Sequence, residues 1–439
     1  MSELKEKLKL LKKEREARSK SRLIKDAWEE IGKEETLSTR EKLERLIHLT
    51  REEKPEKPRV PLFERLKREP LQLFENSYPL SLRYGRILLS SGLEVDGETL
   101  YYLSKEEAFK QLDLSTSLFL DLETTGLSGG TGVVAFLIGL GYYREDRFWI
   151  VQYFLGDLAE EERMIGELAR FLGEMDFKSV VSFNGKGFDM PLLETRFILH
   201  HKPFPLAGIP HLDFLYPARC LWSHKHESCR LYHLAREVVH ADRSEDISSA
   251  EVPWRYFQYL ESGNFEYIEP VLYHNKEDIF SLLGAVVVGA TIISRGRGGE
   301  IADSMDLFGA ARLLEKMGNF EKSARFFQEA IDGKLSSDAA LCAKRKLSYY
   351  FKKSQEWERA VSLWKEIASS EKVSMNHLYS LREIAMYLEH RLKEYEKARE
   401  VAEEGFLISR GLSVFYEKDF SHRLERLNHK IKKLKEKRT

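Results

Sequence analysis

Three apolar runs follow one another between Ser117 and Leu155: SLFLDLE, VVAFLIGLGYY and RFWIVQYFL, the last two joined only by the turn REDR. A connection that short cannot hold a helix, so the runs must fold back on each other as an antiparallel meander. The next segment, EEERMIGELARFLGEM, changes period: Met164, Ile165, Leu168, Phe171 and Leu172 fall on one helical face. It leads into KSVVSFNG, a short apolar strand, and then into a helix that starts near Asp189, with Asp189 as its N-cap and Pro191 tolerated in the first turn. Meander, helix, strand, helix predicts an α/β domain with a mixed sheet.

Strands vanish after Gly299. GNFEKSARFFQEAI, QEWERAVSLWKEIA and KEYEKAREVAEEGF align, with Phe320, Trp357 and Tyr395 spaced 37 and 38 residues apart. Each aromatic is followed three residues on by a small residue (Ser323, Ala360, Ala398) and seven on by an apolar one (Phe327, Trp364, Ala402). A small residue recurring where helices cross closely makes an all-α repeat domain, similar to tetratricopeptide repeats though with a period longer than the usual ~34 residues. Upstream of the meander, RYGRILLSS and ETLYYLS are read as short strands separated by the turn VDGE. The expected organisation is a charged helical segment with a proline-rich linker over 1–77, an α/β domain over 78–298, helical repeats over 299–425 and a basic tail over 426–439.

The chain of 439 residues has a formal net charge of −1, which argues against a uniformly positive nucleic-acid coat, but both ends are basic. Residues 1–25 hold ten Lys or Arg against four Glu, and Lys430 to Arg438 hold six against Glu436 alone. Such runs are solvated faces or phosphate-attracting arms. Three cysteines cannot build a disulfide framework, and no apolar N-terminal stretch suggests export, so a reducing cytoplasm is expected. The run LLGAVVVGATII, Leu282 to Ile293, is too short to span a bilayer and reads as a buried helix, so no membrane partner is expected.

The chemistry starts at FLDLETTGLSGGTG. Alternate strand residues face one side, so Asp121 and Glu123 bring two carboxylates together, and a divalent cation resolves their repulsion. The following glycines, Gly126, Gly129, Gly130 and Gly132, either admit a nucleotide or form the turn. They are not a phosphate-binding P-loop, because no Lys-Ser or Lys-Thr follows. Asp189 in NGKGFD and Asp278 in HNKED add two more acids, and Cys220, His224, His226 and Cys229 are ligand types for zinc at a spacing that fits no common finger.

DLETTGL, NGKGFD and HNKED, in that order, resemble the three exonuclease motifs of the DEDD superfamily, which shares the ribonuclease H-like fold. The finer resemblance, carried by TGLSGGTGVVAFLIGLG, HLDFLYPARCLW, SCRLYHLAREV, EDISSAEVPWRYFQYL and HNKEDIFSLL, is to the bacterial YprB-like group and covers about residues 78–290. It implies a metal-dependent phosphodiesterase on DNA or RNA, trimming from a 3′ end with two Mg²⁺ or Mn²⁺ ions. Asp121 would bridge the ions, with Glu123, Asp189 and Asp278 completing their ligation. Thr124, Asn184, Lys186 and Asn275 stand as substrate contacts, and Asp213 as support for a metal ligand or as a helix cap. Superfamily members place a His five residues, or a Tyr four residues, before the last Asp. Here His274 lies four before Asp278 and Tyr273 five before. His274 is favoured as the base because an imidazole near its ordinary pKa of ~6.5 suits neutral pH, with Tyr273 as the alternative. A structure-selective endonuclease on the same site, or a non-catalytic scaffold whose repeats bind a protein, are the other readings.

Overall fold

The computed structural model describes residues 71–126, 132–296, 302–370 and 373–436. The N-terminal basic segment, the proline-rich linker, Gly129, Gly130, Lys437 and Arg438 lie outside those residues.

The strands are β1 (Leu71–Pro79), β2 (Arg83–Tyr84), β3 (Ile87–Leu88), β4 (Ser117–Thr124), β5 (Ala135–Arg144), β6 (Arg147–Leu155), β7 (Ser179–Ser182) and β8 (His211–Asp213). Six of them form one mixed sheet in the order β1-β6-β5-β4-β7-β8, while β2 and β3 make a separate small hairpin. The predicted meander is β4-β5-β6, antiparallel throughout, and β7 and β8 extend it in parallel from β4. Edge strand β1 lies ahead of the boundary drawn at residue 78 and pairs with β6. It gave no sequence signal because an edge strand is wetted on both sides: its burial is mixed along its length, so no clean alternation is imposed on its residues.

The helices are α1 (Gly97–Ser104), α2 (Glu161–Met175), α3 (Asp189–Leu199), α4 (Leu215–Trp222), α5 (Val252–Ser262), α6 (Glu269–Arg295), α7 (Ser304–Lys316), α8 (Phe320–Ile331), α9 (Ser337–Lys353), α10 (Trp357–Ala368), α11 (Met375–Tyr387), α12 (Tyr395–Ser409) and α13 (Val414–Glu436). The stretch ETLYYLS belongs to α1, which corrects its reading as a strand. Asp96 caps it by accepting the Thr99 N–H at 2.8 Å, and Thr99, Leu100 and Leu103 are buried at helical spacing.

One face of the sheet is sealed by α2 and α3, whose Met164, Ile165, Leu168, Leu172, Leu193 and Phe197 pack on Leu118, Leu120 and Leu122 of β4. The other face carries Phe119, Phe148 and Ile150 and receives α6. By length and composition the helical stretch Phe265–Arg295 could cross a membrane, but 83% of its most apolar window is buried inside the protein.

The C-terminal region is all helix. Pairs α7–α8, α9–α10 and α11–α12 form three hairpins closed by α13, and the aligned aromatics Phe320, Trp357 and Tyr395 each open the second helix of a pair. Ser323, Ala360 and Ala398 are fully buried at the crossings, and the Ser323 hydroxyl donates to the Ala311 carbonyl of the preceding helix at 2.8 Å. The stretch read as a basic tail continues α13 as far as Glu436, with Leu427 and Ile431 buried.

Candidate active site

Asp121 and Glu123 project from the same face of β4, while Leu120 and Leu122 are buried on the other. Directly opposite Asp121 in the ladder is Gly139. A side chain there is excluded by α6, since a Cβ on Gly139 would stand 2.1 Å from Asn275 Oδ1, and one on Gly141 2.4 Å from Ile279 Cγ2. These glycines let α6 lie close to the sheet and deliver Asn275 to Asp121. Its amide donates to Asp121 Oδ2 at 2.8 Å and to the Asp121 carbonyl at 3.2 Å, and accepts from Gln152 Nε2 at 2.8 Å. The orientation of the amide follows from its partners. Asn275 is fully buried, which corrects its reading as a substrate contact: it positions Asp121. Gly139→Ala is therefore expected to cost about 1–3 kcal/mol in stability through overpacking. It should also lower activity more than that loss explains, by displacing Asn275. Chemical denaturation beside a hydrolysis assay checks this, and a variant with unchanged turnover counts against the positioning role.

Asp189 opens α3 rather than capping it, since Phe188 is the N-cap residue. Hydrogen bonding to its own N–H and to that of Leu122, beyond the last β4–β7 pairs, brings its carboxylate to β4. Burial, only partly offset by those hydrogen bonds, pushes it up to about 7. The loop before it is organised by Asp213 at the end of β8. Asp213 accepts from the backbone N–H of Asn184 at 2.7 Å, of Lys186 at 3.0 Å and of Leu215, in the first turn of α4, at 3.1 Å. Asp213 thus both supports the Asp189 loop and serves a helix start. Asn184 takes a left-handed conformation, φ 68°, and stays exposed. Lys186 directs its ammonium to Glu106 at 2.6 Å, and the Thr124 hydroxyl donates to the Gly126 carbonyl at 2.8 Å, so both side chains are engaged within the protein.

On α6, His274 and Asp278 stand one turn apart and share a face. His274 Nε2 lies 3.6 Å from Asp278 Oδ2 and 3.8 Å from Glu123 Oε1, and 3.1 Å from the Ser249 hydroxyl. Nδ1 lies 2.8 Å from the Asp246 carboxylate. Burial opposes a charge on this ring, but Asp278, the hydrogen bond to Asp246 and Glu123 outweigh it, and His274 is pushed up to about 10. In place of an imidazole near its ordinary value, these neighbours favour the protonated ring at neutral pH. Tyr273 points off that face, with the Lys276 ammonium 4.6 Å over its ring and Glu277 raising its phenol after burial.

Asp121 and Glu123 feel the other acids. Asp121 is raised well above the usual carboxylate range by burial first, then by Asp278, Glu123 and Asp189, and Glu123 is pushed up to about 8, chiefly by burial. Two protein cations offset this charge. One is His274; the other is Arg243, which sequence reasoning missed. Its guanidinium has no solvent exposure, donates to Asp278 Oδ1 at 2.5 Å and to the Ser281 hydroxyl at 3.2 Å, and pairs with Asp246. Asp246 and Ser249 lie within the quoted stretch EDISSAEVPWRYFQYL, yet only the fold brings them to His274, so the signal was present without its meaning. Removing Arg243 leaves Asp246 and Asp278 with His274 as their one remaining nearby cation among the described residues. Arg243→Gln should cost about 3–5 kcal/mol of stability, read by denaturant unfolding in chelator. A loss under about 1 kcal/mol would assign the stability elsewhere.

Hard oxygen donors from Asp121, Glu123, Asp189 and Asp278 suit Mg²⁺ or Mn²⁺, and their mutual repulsion suits them further. Among the described residues no group of three or more His, Cys, Asp or Glu side chains stands arranged to hold a metal ion; Arg243 and His274 take the neutralising place instead. The zinc arrangement fails on geometry. His224 Nε2 is 2.7 Å from the Met305 carbonyl and its ring packs on Phe308, while Cys229 approaches the Ala218 carbonyl.

A five-strand core ordered β6-β5-β4-β7-β8, with acids at the end of its central strand, defines a ribonuclease H-like domain, and residues 118–286 match the RNase_H superfamily. Across most of its length the chain is also similar to a known bacterial protein. It is 30% identical over 368 residues to the uncharacterized protein YprB of Bacillus subtilis (strain 168), covering 83% of this chain and 85% of that one, and it belongs to the YprB family. A family B DNA polymerase from the hyperthermophilic archaeon Pyrobaculum calidifontis aligns at 14% identity with a TM-score of 0.31, over 52% of this chain and 28% of the polymerase chain.

Proposed function

We propose that this chain is a divalent-metal-dependent nuclease that hydrolyses phosphodiester bonds of DNA or RNA, acting from a 3′ end with two Mg²⁺ or Mn²⁺ ions. The observation that carries the reading is the convergence on β4: Asp278 and Asp189, from distant segments, raise both Asp121 and Glu123 electrostatically, and one imidazolium lies within 4 Å of Glu123 and Asp278. Acids so placed are costly unless a cation belongs among them. Dications bound there supply Lewis acidity to a phosphoryl oxygen and acidify water.

The chain's own residues do the rest. Asp121, Glu123, Asp189 and Asp278 would hold the ions, with Asn275 fixing Asp121 and Asp213 fixing the loop that carries Asp189. Asp246 holds His274 through Nδ1, so Nε2 is the nitrogen that faces the acids and can exchange a proton with water or a phosphate oxygen. With Glu123 and Asp278 compensated, Asp246 alone of these three would still hold His274 up, and the imidazole would move back toward the range a base needs. His274 is the base in this reading. The helical hairpins are read as the part that engages substrate or a protein partner.

The test is degradation of 3′- and 5′-labelled single- and double-stranded DNA and RNA with Mg²⁺ or Mn²⁺, beside Asp121→Asn and His274→Ala. Mononucleotides released from the 3′ end support the reading, and internal fragments replace it with an endonuclease. Absence of metal-dependent hydrolysis on every substrate leaves a scaffold.

A further inference from the structure

Helix α13 carries more positive charge than its own acids balance, seven Lys or Arg against four Asp or Glu. After α11 the chain makes one π-helical turn, Leu388–Leu392, an irregularity that places Glu389 inward with no solvent exposure. Three cations from α13 converge on that one carboxylate: Arg423 Nη1 at 2.9 Å, Arg426 Nε at 2.7 Å with Nη2 at 2.8 Å, and Lys430 Nζ at 2.8 Å. Burial opposes the Glu389 charge, but Arg426 and Lys430 overcome it and hold the carboxyl down at about 2. Arg423 is buried and also approaches Asp419 at 3.5 Å, whereas Arg426 and Lys430 remain 45% and 33% exposed. Lys433, exposed one turn further along the same face, makes no ion pair among the described residues.

A carboxylate shared among three cations leaves positive charge unspent, and here it also fixes their direction. Arg426 binds Glu389 edge-on through Nε and Nη2, so Nη1 remains for a second, external acceptor. Held side chains lose little further freedom when an anion arrives. From Arg426 to Lys433 the helix rises about 10 Å, so the three cations stand in one short row along the helix.

We propose that the α13 face formed by Arg426, Lys430 and Lys433 is a docking row for the phosphate backbone of a nucleic acid, sequence-independent and separate from the acidic site. The proposal rests on the nuclease reading for its choice of partner, since an acidic polypeptide would offer the same charge.

Full-length protein carrying Asp121→Asn, so that substrate persists, is titrated into fluorescein-labelled 30-nucleotide DNA and RNA single strands across a NaCl series, followed by anisotropy. Lys433→Glu is exposed and unpaired, so folding is not at stake; it is expected to weaken binding several-fold and reduce the slope of log K against log salt by about 0.7. Arg426→Gln with Lys430→Gln should cost about tenfold or more and reduce the slope by about 1.4. Equal affinity and slope in all variants overturn the proposal. Polyglutamate that binds with the same sensitivity to Lys433→Glu, while the nucleic acids do not bind, overturns it in favour of an acidic protein partner. Hydrolysis of a small nucleotide aryl ester by otherwise wild-type protein keeps the two readings apart. Lys433→Glu should leave it unchanged, and its absence alongside a shifted salt slope removes the catalytic reading while the docking row stands.

Discussion

Asp121→Asn is expected to lower metal-dependent hydrolysis by at least about 10³-fold, roughly 4 kcal/mol of transition-state stabilisation, while raising the melting temperature of the metal-free protein at pH 8. The two effects have one cause. Asp121 is enclosed with three other acids, and burial followed by Asp278, Glu123 and Asp189 raises it well above the ordinary carboxylate range. Forcing the cluster to ionise without a dication costs stability, and an amide of the same shape removes one of its charges. The amide oxygen still accepts from Asn275 Nδ2, so the local packing survives. The same exchange removes the ligand read as common to both ions. Differential scanning fluorimetry in chelator and a timed hydrolysis assay read the two halves separately. A residual rate within tenfold of wild type, or a lowered melting temperature, would sink the assignment of Asp121 as the central ligand.

The metal-free protein should lose stability steadily from pH 6 to pH 9, and Mn²⁺ should restore more of it at pH 9 than at pH 6. Four groups of the site have folded values above their ordinary ones: Asp189 at about 7 against 3.8, Glu123 at about 8 against 4.5, His274 at about 10 against 6.5, and Asp121 well above 3.8. Each therefore binds more protons folded than unfolded between its two values. Its contribution is fully present below the unfolded value and is lost as pH rises through the folded one. Asp246, held low despite burial by His274 and Arg243, has the opposite sign, and its contribution is lost only as pH falls below its ordinary 3.8. Metal ligation needs the carboxylates ionised, so binding should release protons and tighten as pH rises. Calorimetry with Mn²⁺ in buffers of different ionisation heat counts those protons. Zero release at pH 7, or a melting temperature that rises with pH in chelator, contradicts the cluster's electrostatics.

The parts of this molecule that were readable in advance are those set by neighbours along the chain. Alternation placed Asp121 and Glu123 on one face of β4, a 3.6-residue period marked α2, and the small residues Ser323, Ala360 and Ala398 marked the close crossings of three hairpins. Strand β1 was missed because, at the sheet edge, its two faces are not sorted by burial. ETLYYLS was misread because its aromatic and aliphatic residues fit a strand, and the Asp96 cap decided otherwise. Arg243 and Asp246 were missed for a different reason. Nothing local distinguishes them from surface charges, and only burial against α6 gives them a partner.

By itself the order of residues determined which acids are available, on which side of a strand two of them lie, and that an α/β sheet is followed by paired helices. Only the tertiary structure decided what state they are in. His274 became a cation and Asn275 a brace for Asp121 because their partners come from 28 and 154 residues away. A proton's affinity for a side chain depends on enclosure and on the charges that enclosure brings near, and neither is written in adjacent residues.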